Sequence, residues 1–313
     1  MSKNLLNVSI ITVILISLIS CGHLQEAKNS YNNNNYDETI TYCKQALEKD
    51  PSDTEAMVLM GKCYQEKGLL NEALAITQKA YQLKPSASIS SRLIRIHNAM
   101  GDKYLDDNNN KALVHYKAAL EINPKNLHAQ KKIAYTYYAL GKLQKAKNFY
   151  LKLKKRGDTP SVSDKITEIN NRIEKSRTIY EKGRTQYRQS RLENALYYFE
   201  QASEQYSGSE EINYHLYLTR GRILYEKGSV SDLWDAIELF GKASVLKIKQ
   251  GEPWYWMGLA YNKKDKNEFT NAIDCLTRAL ELELNPDLTE KCREKLQEIK
   301  QRKKKMDEFW GRE

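Results

Sequence analysis

Apolar residues recur along most of the chain at spacings of three and four, which is the period of an amphipathic α-helix. Gly157 and Pro160 are stop signals, and Ser161 followed by Asp164 favours a new helix start. The clearest stripe follows them and consists of Ile166, Ile169, Ile173, Ser176, Tyr180, Gly183 and Tyr187. We therefore expect one long helix in the middle of the chain, preceded by a join between two blocks of helices.

A second pattern repeats over a longer distance. An Ala followed by a Pro five residues later recurs at 46–51, 80–85 and 119–124, and the first interval is 34 residues. Gly61 and Ala73 place small residues where two antiparallel helices must touch. A period of this length is typical of solenoids, in which each helix pair buries its apolar face against its neighbours.

The closest match to a known motif is the segment Trp254–Tyr261, with the sequence WYWMGLAY, followed by Ala272, Leu276 and Ala279. This spacing resembles the tetratricopeptide repeat (TPR). The resemblance implies an all-α fold, a right-handed α-solenoid of about seven antiparallel helix pairs (a TPR superhelix) with a C-terminal capping helix. The six other repeats are expected around Ala27, Tyr36, Ala46; Gly61, Tyr64, Ala73, Ala80; Gly101, Tyr104, Ala112, Tyr116; Ala134, Tyr137, Gly141, Ala146; Gly183, Leu192, Ala195, Phe199; and Gly221, Ala236, Phe240, Ala243.

Departures from the period indicate where repeats are extended. Repeats three and five are longer than the others, so we expect long first helices there. We also expect extra residues in the turns within repeats six and seven, at 229–233 and 263–268. The chain closes with a helix over about 288–308 that includes the basic run Arg302–Lys305. A polar end cap is the expected role of this helix, with a nucleic-acid contact as the weaker alternative.

The N-terminus is predicted to be a targeting segment. Lys3 precedes the apolar stretch Leu5–Ser20, which is shorter than a spanning helix requires. Leu18-Ile19-Ser20-Cys21 resembles a bacterial lipobox. The resemblance implies transfer of a diacylglyceryl group to the Cys21 thiol, cleavage before Cys21 and acylation of the new amine, with palmitate as an expected acyl chain. An uncleaved anchor is the alternative. Gly22 lacks the acidic character of an inner-membrane retention signal, so an outer-membrane location is expected.

The expected organisation therefore has four parts. A lipoprotein signal peptide occupies 1–20. A first TPR block of repeats one to four occupies 21–156. A second block at 157–286 contains the long joining helix and repeats five to seven, and a basic capping helix occupies 287–313.

Composition does not favour catalysis. The five histidines form no HExxH motif, and the chain contains no GxGxxG or phosphate-loop motif. We therefore expect no enzyme activity, no catalytic residue, no metal and no cofactor. The cysteines other than Cys21 show no metal-ligand spacing and are expected to be small buried hydrophobes, with a Cys43–Cys63 disulfide as the alternative.

The resemblance also implies where a partner binds. In TPR proteins the first helices of successive repeats line a concave groove. Carried over to this chain, the groove includes His128, His215, Leu218, Asn262 and Lys263 together with the predicted partner-binding residues Lys131, Tyr135, Tyr138, Arg177, Tyr180, Arg184, Tyr187, Arg188, Arg222, Tyr225 and Tyr255. Tyr and Arg are enriched where binding energy concentrates. A solvated face with incidental Tyr and Arg is the alternative.

The net charge of +10 favours anionic partners. We expect a membrane-anchored protein-interaction scaffold of the bacterial cell envelope that binds acidic or extended segments of envelope proteins, with no nucleic acid. A surface-exposed ligand-binding or host-contact lipoprotein is the alternative. The sequence leaves periplasmic and surface exposure open.

Overall fold

The computed structural model describes residues 22–157, 160–267 and 269–311. Fifteen helices account for nearly all of these residues: α1 (22–32 in its described part), α2 (Tyr36–Lys49), α3 (Thr54–Glu66), α4 (Leu70–Leu83), α5 (Ala87–Tyr104), α6 (Asn109–Ile122), α7 (Leu127–Ala139), α8 (Leu143–Lys154), α9 (Pro160–Arg188), α10 (Leu192–Gln205), α11 (Glu210–Lys227), α12 (Val230–Leu246), α13 (Glu252–Lys264), α14 (Phe269–Glu281) and α15 (Pro286–Phe309).

The helices pair as the repeat predicts, from α1 with α2 to α13 with α14, and α15 follows as a single helix. Close contact depends on glycines in the first helices. A Cβ added to Gly101 would lie 2.4 Å from the ring of Tyr116, and one added to Gly221 would lie 2.6 Å from the ring of Phe240. Both rings are fully buried. The predicted all-α repeat solenoid is confirmed.

The two long first helices are also confirmed, because α5 has 18 residues and α9 has 29. The prediction of extra turn residues in repeat six is wrong. Gly228, at φ +77°, ends α11, and the Ser229 hydroxyl caps α12 by accepting from the backbone N–H of Asp232 at 3.1 Å. A two-residue turn is therefore sufficient, and the extra residues lengthen both helices instead. In repeat seven, residue 268 lies outside the described residues.

The chain forms two compact units, which we describe separately. The N-terminal unit comprises 1–137 and 148–158, and the C-terminal unit comprises 138–147 and 159–313. The predicted division of the repeats into blocks at residue 157 stays a prediction. The predicted signal peptide and Cys21 lie outside the described residues.

In the N-terminal unit, one carboxylate joins three successive helices. Asp102 on α5 accepts a hydrogen bond from the Tyr116 hydroxyl of α6 at 2.7 Å and lies 3.0 Å from His128 Nε2 and 3.2 Å from Lys132 Nζ on α7. The bond from Tyr116 and the charge of Lys132 hold the pKa of Asp102 below its usual value in spite of its partial burial. His128, predicted as a groove residue, is therefore part of this structural contact.

None of the helices in the described ranges combines the length and apolar character needed to cross a bilayer.

Candidate binding site

The first helices α9, α11 and α13 of the C-terminal unit, together with α15, line a pocket of about 450 Å³. Five of the predicted partner-binding residues meet there, because each repeat presents the same face of its first helix. The lining residues are Arg184, Tyr187, Arg188, Ser190, His215, Arg222, Glu252, Tyr255, Trp256, Asn285, Asp287, Leu288 and Lys291.

An arginine held between two aromatic rings lies in this pocket. The guanidinium carbon of Arg222 is 4.8 Å from the ring centroid of Tyr187 and 4.6 Å from that of Trp256. Its Nε is buried and has no hydrogen-bond partner among the described residues. Cation–π contact on both faces fixes the plane of the guanidinium, so its outer edge is preorganised to donate to a ligand.

The carboxylate of Glu252 holds the two rings in place. It accepts from the Tyr187 hydroxyl at 2.7 Å and from Trp256 Nε1 at 3.3 Å. Burial, and then the negative charge of Glu252, raise the pKa of Tyr187 well above its ordinary value, so the phenol stays neutral and donates its proton to the carboxylate. The Glu252 carboxylate is thus hydrogen-bonded to two side chains of the pocket wall.

The remaining charges of the pocket favour an anion. Asp287 is paired with Lys291 at 2.8 Å, and Arg184 is paired with Glu181 at 3.2 Å. Arg188 is exposed and has no ion pair among the described residues. Glu252 keeps its negative charge, because its donors Tyr187 and Trp256 are neutral, but the lining holds more cations than carboxylates. Arg188 is the cation most available to an incoming carboxylate or phosphate.

Aromatic packing supports the floor of the pocket. The His215 ring lies between Tyr180, Phe199 and Tyr214, with centroid distances of 5.4, 5.4 and 4.9 Å. Its Nδ1 is 3.0 Å from the Tyr180 hydroxyl, and burial lowers the pKa of His215 to about 4. The imidazole is therefore neutral at pH 7 and acts as an aromatic core residue.

Several predicted groove residues are core residues and are not accessible to a partner. Tyr180 is buried and donates to Glu211 Oε1 at 2.8 Å, while Leu218 and Tyr255 are buried in the core. Neighbouring first helices are close enough for large rings at these positions to fill the space between repeats. Tyr255 still contributes to the pocket wall.

The other predicted residues are not among those that line the pocket. Lys131 and Tyr135 are exposed on α7 in the N-terminal unit. In the C-terminal unit, Tyr138 donates to Glu168, Arg177 is exposed, and Tyr225 lies edge-on to Trp256 at 5.6 Å. Whether any of these residues binds a partner stays a prediction.

Sequence reasoning missed Glu252 and Trp256, which line the pocket, and the whole contribution of α15. Glu252 and Trp256 are four residues apart, so helical spacing already placed them on one face of α13. The contribution of α15 depends on its packing after repeat seven, which no motif indicates.

All four cysteines of the described residues are free and buried. Burial raises the pKa of Cys43 and of Cys275 to about 12 and that of Cys63 and Cys292 to about 11, so these thiols stay protonated at pH 7. The expectation of small buried hydrophobes is confirmed. No group of three or more His, Cys, Asp or Glu side chains suited to a metal ion occurs in the described ranges.

The helix pairs, their small-residue contacts and the first-helix pocket define an all-α helical-repeat protein. A tetratricopeptide-repeat family model matches residues 31–91 and 104–166, and a second matches 252–286. Together these matches span about half of the chain. The chain therefore belongs to the tetratricopeptide-repeat family. Repeats five and six lie outside the matches and are identified by their helix pairs.

Several solved structures are similar to this chain at low identity. A tetratricopeptide repeat protein from Parabacteroides merdae is 14% identical with a TM-score of 0.38, over 90% of this chain and 98% of that chain. The TPR2AB domain of yeast Sti1, in a complex with pHSP90, is 18% identical with a TM-score of 0.32, over 90% and 97%. The MamA protein is 20% identical with a TM-score of 0.34, over 59% and 91%. No curated protein matches the chain.

Proposed function

We propose that this chain is a protein-interaction scaffold of the bacterial cell envelope and that the pocket of the C-terminal unit binds acidic, extended segments of partner proteins. Tetratricopeptide repeats support the scaffold role, since the family presents ordered helix pairs as a binding surface. The observation that supports this site is Arg222, held between Tyr187 and Trp256 beside the unpaired Arg188.

An acidic segment fits this pocket for two reasons. The lining holds four cations, Arg184, Arg188, Arg222 and Lys291, against the two carboxylates of Glu252 and Asp287, and Arg188 has no ion pair among the described residues. The aromatic walls also provide apolar surface for the side chains next to that carboxylate. The same charge pattern predicts weaker binding as salt rises.

Replacement of pocket residues tests the site. Arg184→Ala, Tyr187→Ala and Arg222→Ala together should abolish recovery of the partner that is crosslinked to the wild-type chain in cells. The matched control is Arg191→Ala, Tyr197→Ala and Arg278→Ala, which removes the same residue types from exposed positions on other helices. Undiminished recovery with the pocket variant would refute the site.

Arg188→Glu separates binding from folding. Arg188 is exposed, so reversal of its charge should leave helicity and the melting temperature unchanged. Affinity for the purified partner should nevertheless fall at least about tenfold, since an attractive charge becomes repulsive at the pocket mouth. Equal affinities would show that the pocket charge does not select the partner.

The lipid anchor at Cys21 is the second element of the proposal, and the lipobox resemblance supports it. Wild-type protein should incorporate labelled palmitate, whereas Cys21→Ser should not. Absence of label from the wild type would remove the anchor and leave the pocket untouched. Protease treatment of intact cells then distinguishes the two locations, because a surface-exposed chain is digested and a periplasmic one is protected.

A further inference from the structure

The end of α15 is exposed, whereas its middle is buried. Cys292 and Ile299 are fully buried in the cluster formed with α14, which includes Leu276. Phe309 and Trp310, two to three turns later, are 78% and 61% exposed. Among the large hydrophobic side chains of the described residues, Phe309 is the most exposed. Soluble proteins seldom leave two neighbouring aromatic rings in water without a binding role.

These rings form a continuous apolar surface with Met306. Phe309 and Trp310 lie edge to face with their centroids 5.2 Å apart, and Trp310 Nε1 is 3.2 Å from the sulfur of Met306. We call Met306, Phe309 and Trp310 the aromatic tip. It is held together by its own contacts, so a partner would meet an ordered apolar surface.

The aromatic tip directly follows a cluster of cations, Lys300, Arg302, Lys303, Lys304 and Lys305. Lys303 Nζ and Asp307 form a long ion pair of 3.8 Å, and Lys304 Nζ and Glu308 form one of 3.7 Å. Both pairs are exposed. Long exposed ion pairs contribute little, so either lysine can exchange its carboxylate for another anion. Lys300 and Lys305 have no ion pair among the described residues.

Arg302 has a different role from these lysines. Its guanidinium donates to Asn262 at 3.0 Å and lies 5.6 Å from the ring centroid of Phe269, which fixes α15 to α13 and α14. The four lysines are therefore the mobile cations, and they surround a fixed helix end.

We propose that this end of α15 binds the surface of a membrane that contains anionic lipids, with the aromatic tip in the headgroup region and the four lysines over it. Indole and phenyl rings favour the lipid–water boundary, and flexible lysines gain from a negatively charged leaflet without a shaped phosphate site. A site for one phosphorylated ligand would favour the planar fork of arginine, and here the nearest arginine is already bonded to Asn262.

Vesicle cosedimentation tests the membrane contact on residues 22–313, which include every helix described above and omit the apolar leader. The chain should bind vesicles of phosphatidylcholine with 30% phosphatidylglycerol at low salt. It should bind phosphatidylcholine vesicles at least about tenfold more weakly, and 0.5 M NaCl should release it.

Two variants locate the contact. Lys303→Glu, Lys304→Glu and Lys305→Glu together, and separately Phe309→Ala with Trp310→Ala, should each lower the partition coefficient at least about tenfold. All these side chains are exposed, so circular dichroism should be unchanged. The control Lys44→Glu, Lys49→Glu and Lys79→Glu makes the same charge change at exposed positions of α2 and α4 and should keep most of the binding.

Several results would overturn the proposal. Equal binding to neutral and anionic vesicles, or an equal loss with the control variant, would show that these lysines do not recognise lipid. A self-associating wild type that becomes monomeric with Phe309→Ala and Trp310→Ala would assign the aromatic tip to a second copy. Retention of a labelled single-stranded RNA with no vesicle binding would assign the cations to nucleic acid.

Discussion

At the residue scale, the fold depends on which positions must be small. Gly101, Gly183 and Gly221 on first helices face buried rings on second helices, and a Cβ at Gly221 would overlap Phe240. The ring has no free volume to move into, because Phe240 is fully buried. Gly241 on α12 has no such contact, because the nearest atom to an added Cβ lies 4.0 Å away, so this glycine only weakens its helix.

We therefore expect opposite effects from two glycine substitutions. Gly221→Ala should lower the free energy of unfolding by about 1 to 3 kcal/mol, since it overpacks the repeat. Gly241→Ala should raise it by about 0.5 to 1 kcal/mol, because the nearest atom to the new Cβ is Met257 Cε at 4.0 Å and alanine favours helix. Urea denaturation measures both changes. A lower free energy of unfolding for both variants would contradict the contacts described for Gly241.

A buried hydroxyl gives a second prediction. Thr219 is fully buried, and its Oγ1 has no hydrogen-bond partner among the described residues. Thr219→Val should stabilise the protein by about 1 kcal/mol, because an unpaired polar group leaves the core. The control is Thr136→Val, which removes a bond to the Lys132 carbonyl at 2.7 Å and should destabilise slightly. Melting temperatures that shift in the same direction would refute this reasoning.

At the element scale, the helix ends differ in how well they are capped. Asn285 accepts from the backbone N–H of Leu288 and caps α15, whereas Arg191 at the start of α10 provides no side-chain cap. Both flanking residues have non-helical backbones, and only Asn285 has a side chain that accepts from the first turn.

Exchange of caps should therefore change stability in a predictable direction. Asn285→Ala should destabilise by about 1 kcal/mol, and Arg191→Asp should stabilise by about 0.5 to 1 kcal/mol through a new cap and the helix dipole. Arg191→Ala serves as control for loss of the arginine alone. Urea denaturation midpoints measure these changes. If Arg191→Asp is no more stable than Arg191→Ala, a side-chain cap does not increase the stability of α10.

At the scale of the whole molecule, each compact unit contains a buried histidine. Burial lowers the pKa of both His97 and His215 to about 4, and for His97 the neighbouring His115, 3.3 Å away between Nδ1 atoms, adds to this. The unfolded chain takes up these protons near pH 6.5. Acid therefore favours the unfolded state between pH 6.5 and 4.

The free energy of unfolding should have its full value above pH 6.5. It should decline as the pH falls towards 4, where the two histidines of the folded protein also become protonated. The loss should reach about 1 to 2 kcal/mol per histidine at pH 5.5 to 5. Urea midpoints at pH 7.5 and 5.5 measure it, and His97→Gln with His215→Gln should flatten the difference. A midpoint that is constant or higher at pH 5.5 would show that the two imidazoles are not buried as described.

The sequence by itself determined the all-α repeat architecture, the seven helix pairs, the two long first helices and the capping helix. These follow from short-range periodicity and from small residues at fixed spacing, both of which are local in the chain. It also identified five residues of the pocket, because groove positions recur in every repeat. The tertiary structure decided which groove residues remain accessible, since Tyr180 and Tyr255 are buried by neighbouring helices.

Only the packed structure placed Arg222 between Tyr187 and Trp256, three residues from three different helices. Spacing along the chain does not fix which rings of successive helices meet, because that depends on how the helices cross. For the same reason the sequence marked the basic run of α15, but only the structure showed that Phe309 and Trp310 of its aromatic tip are exposed.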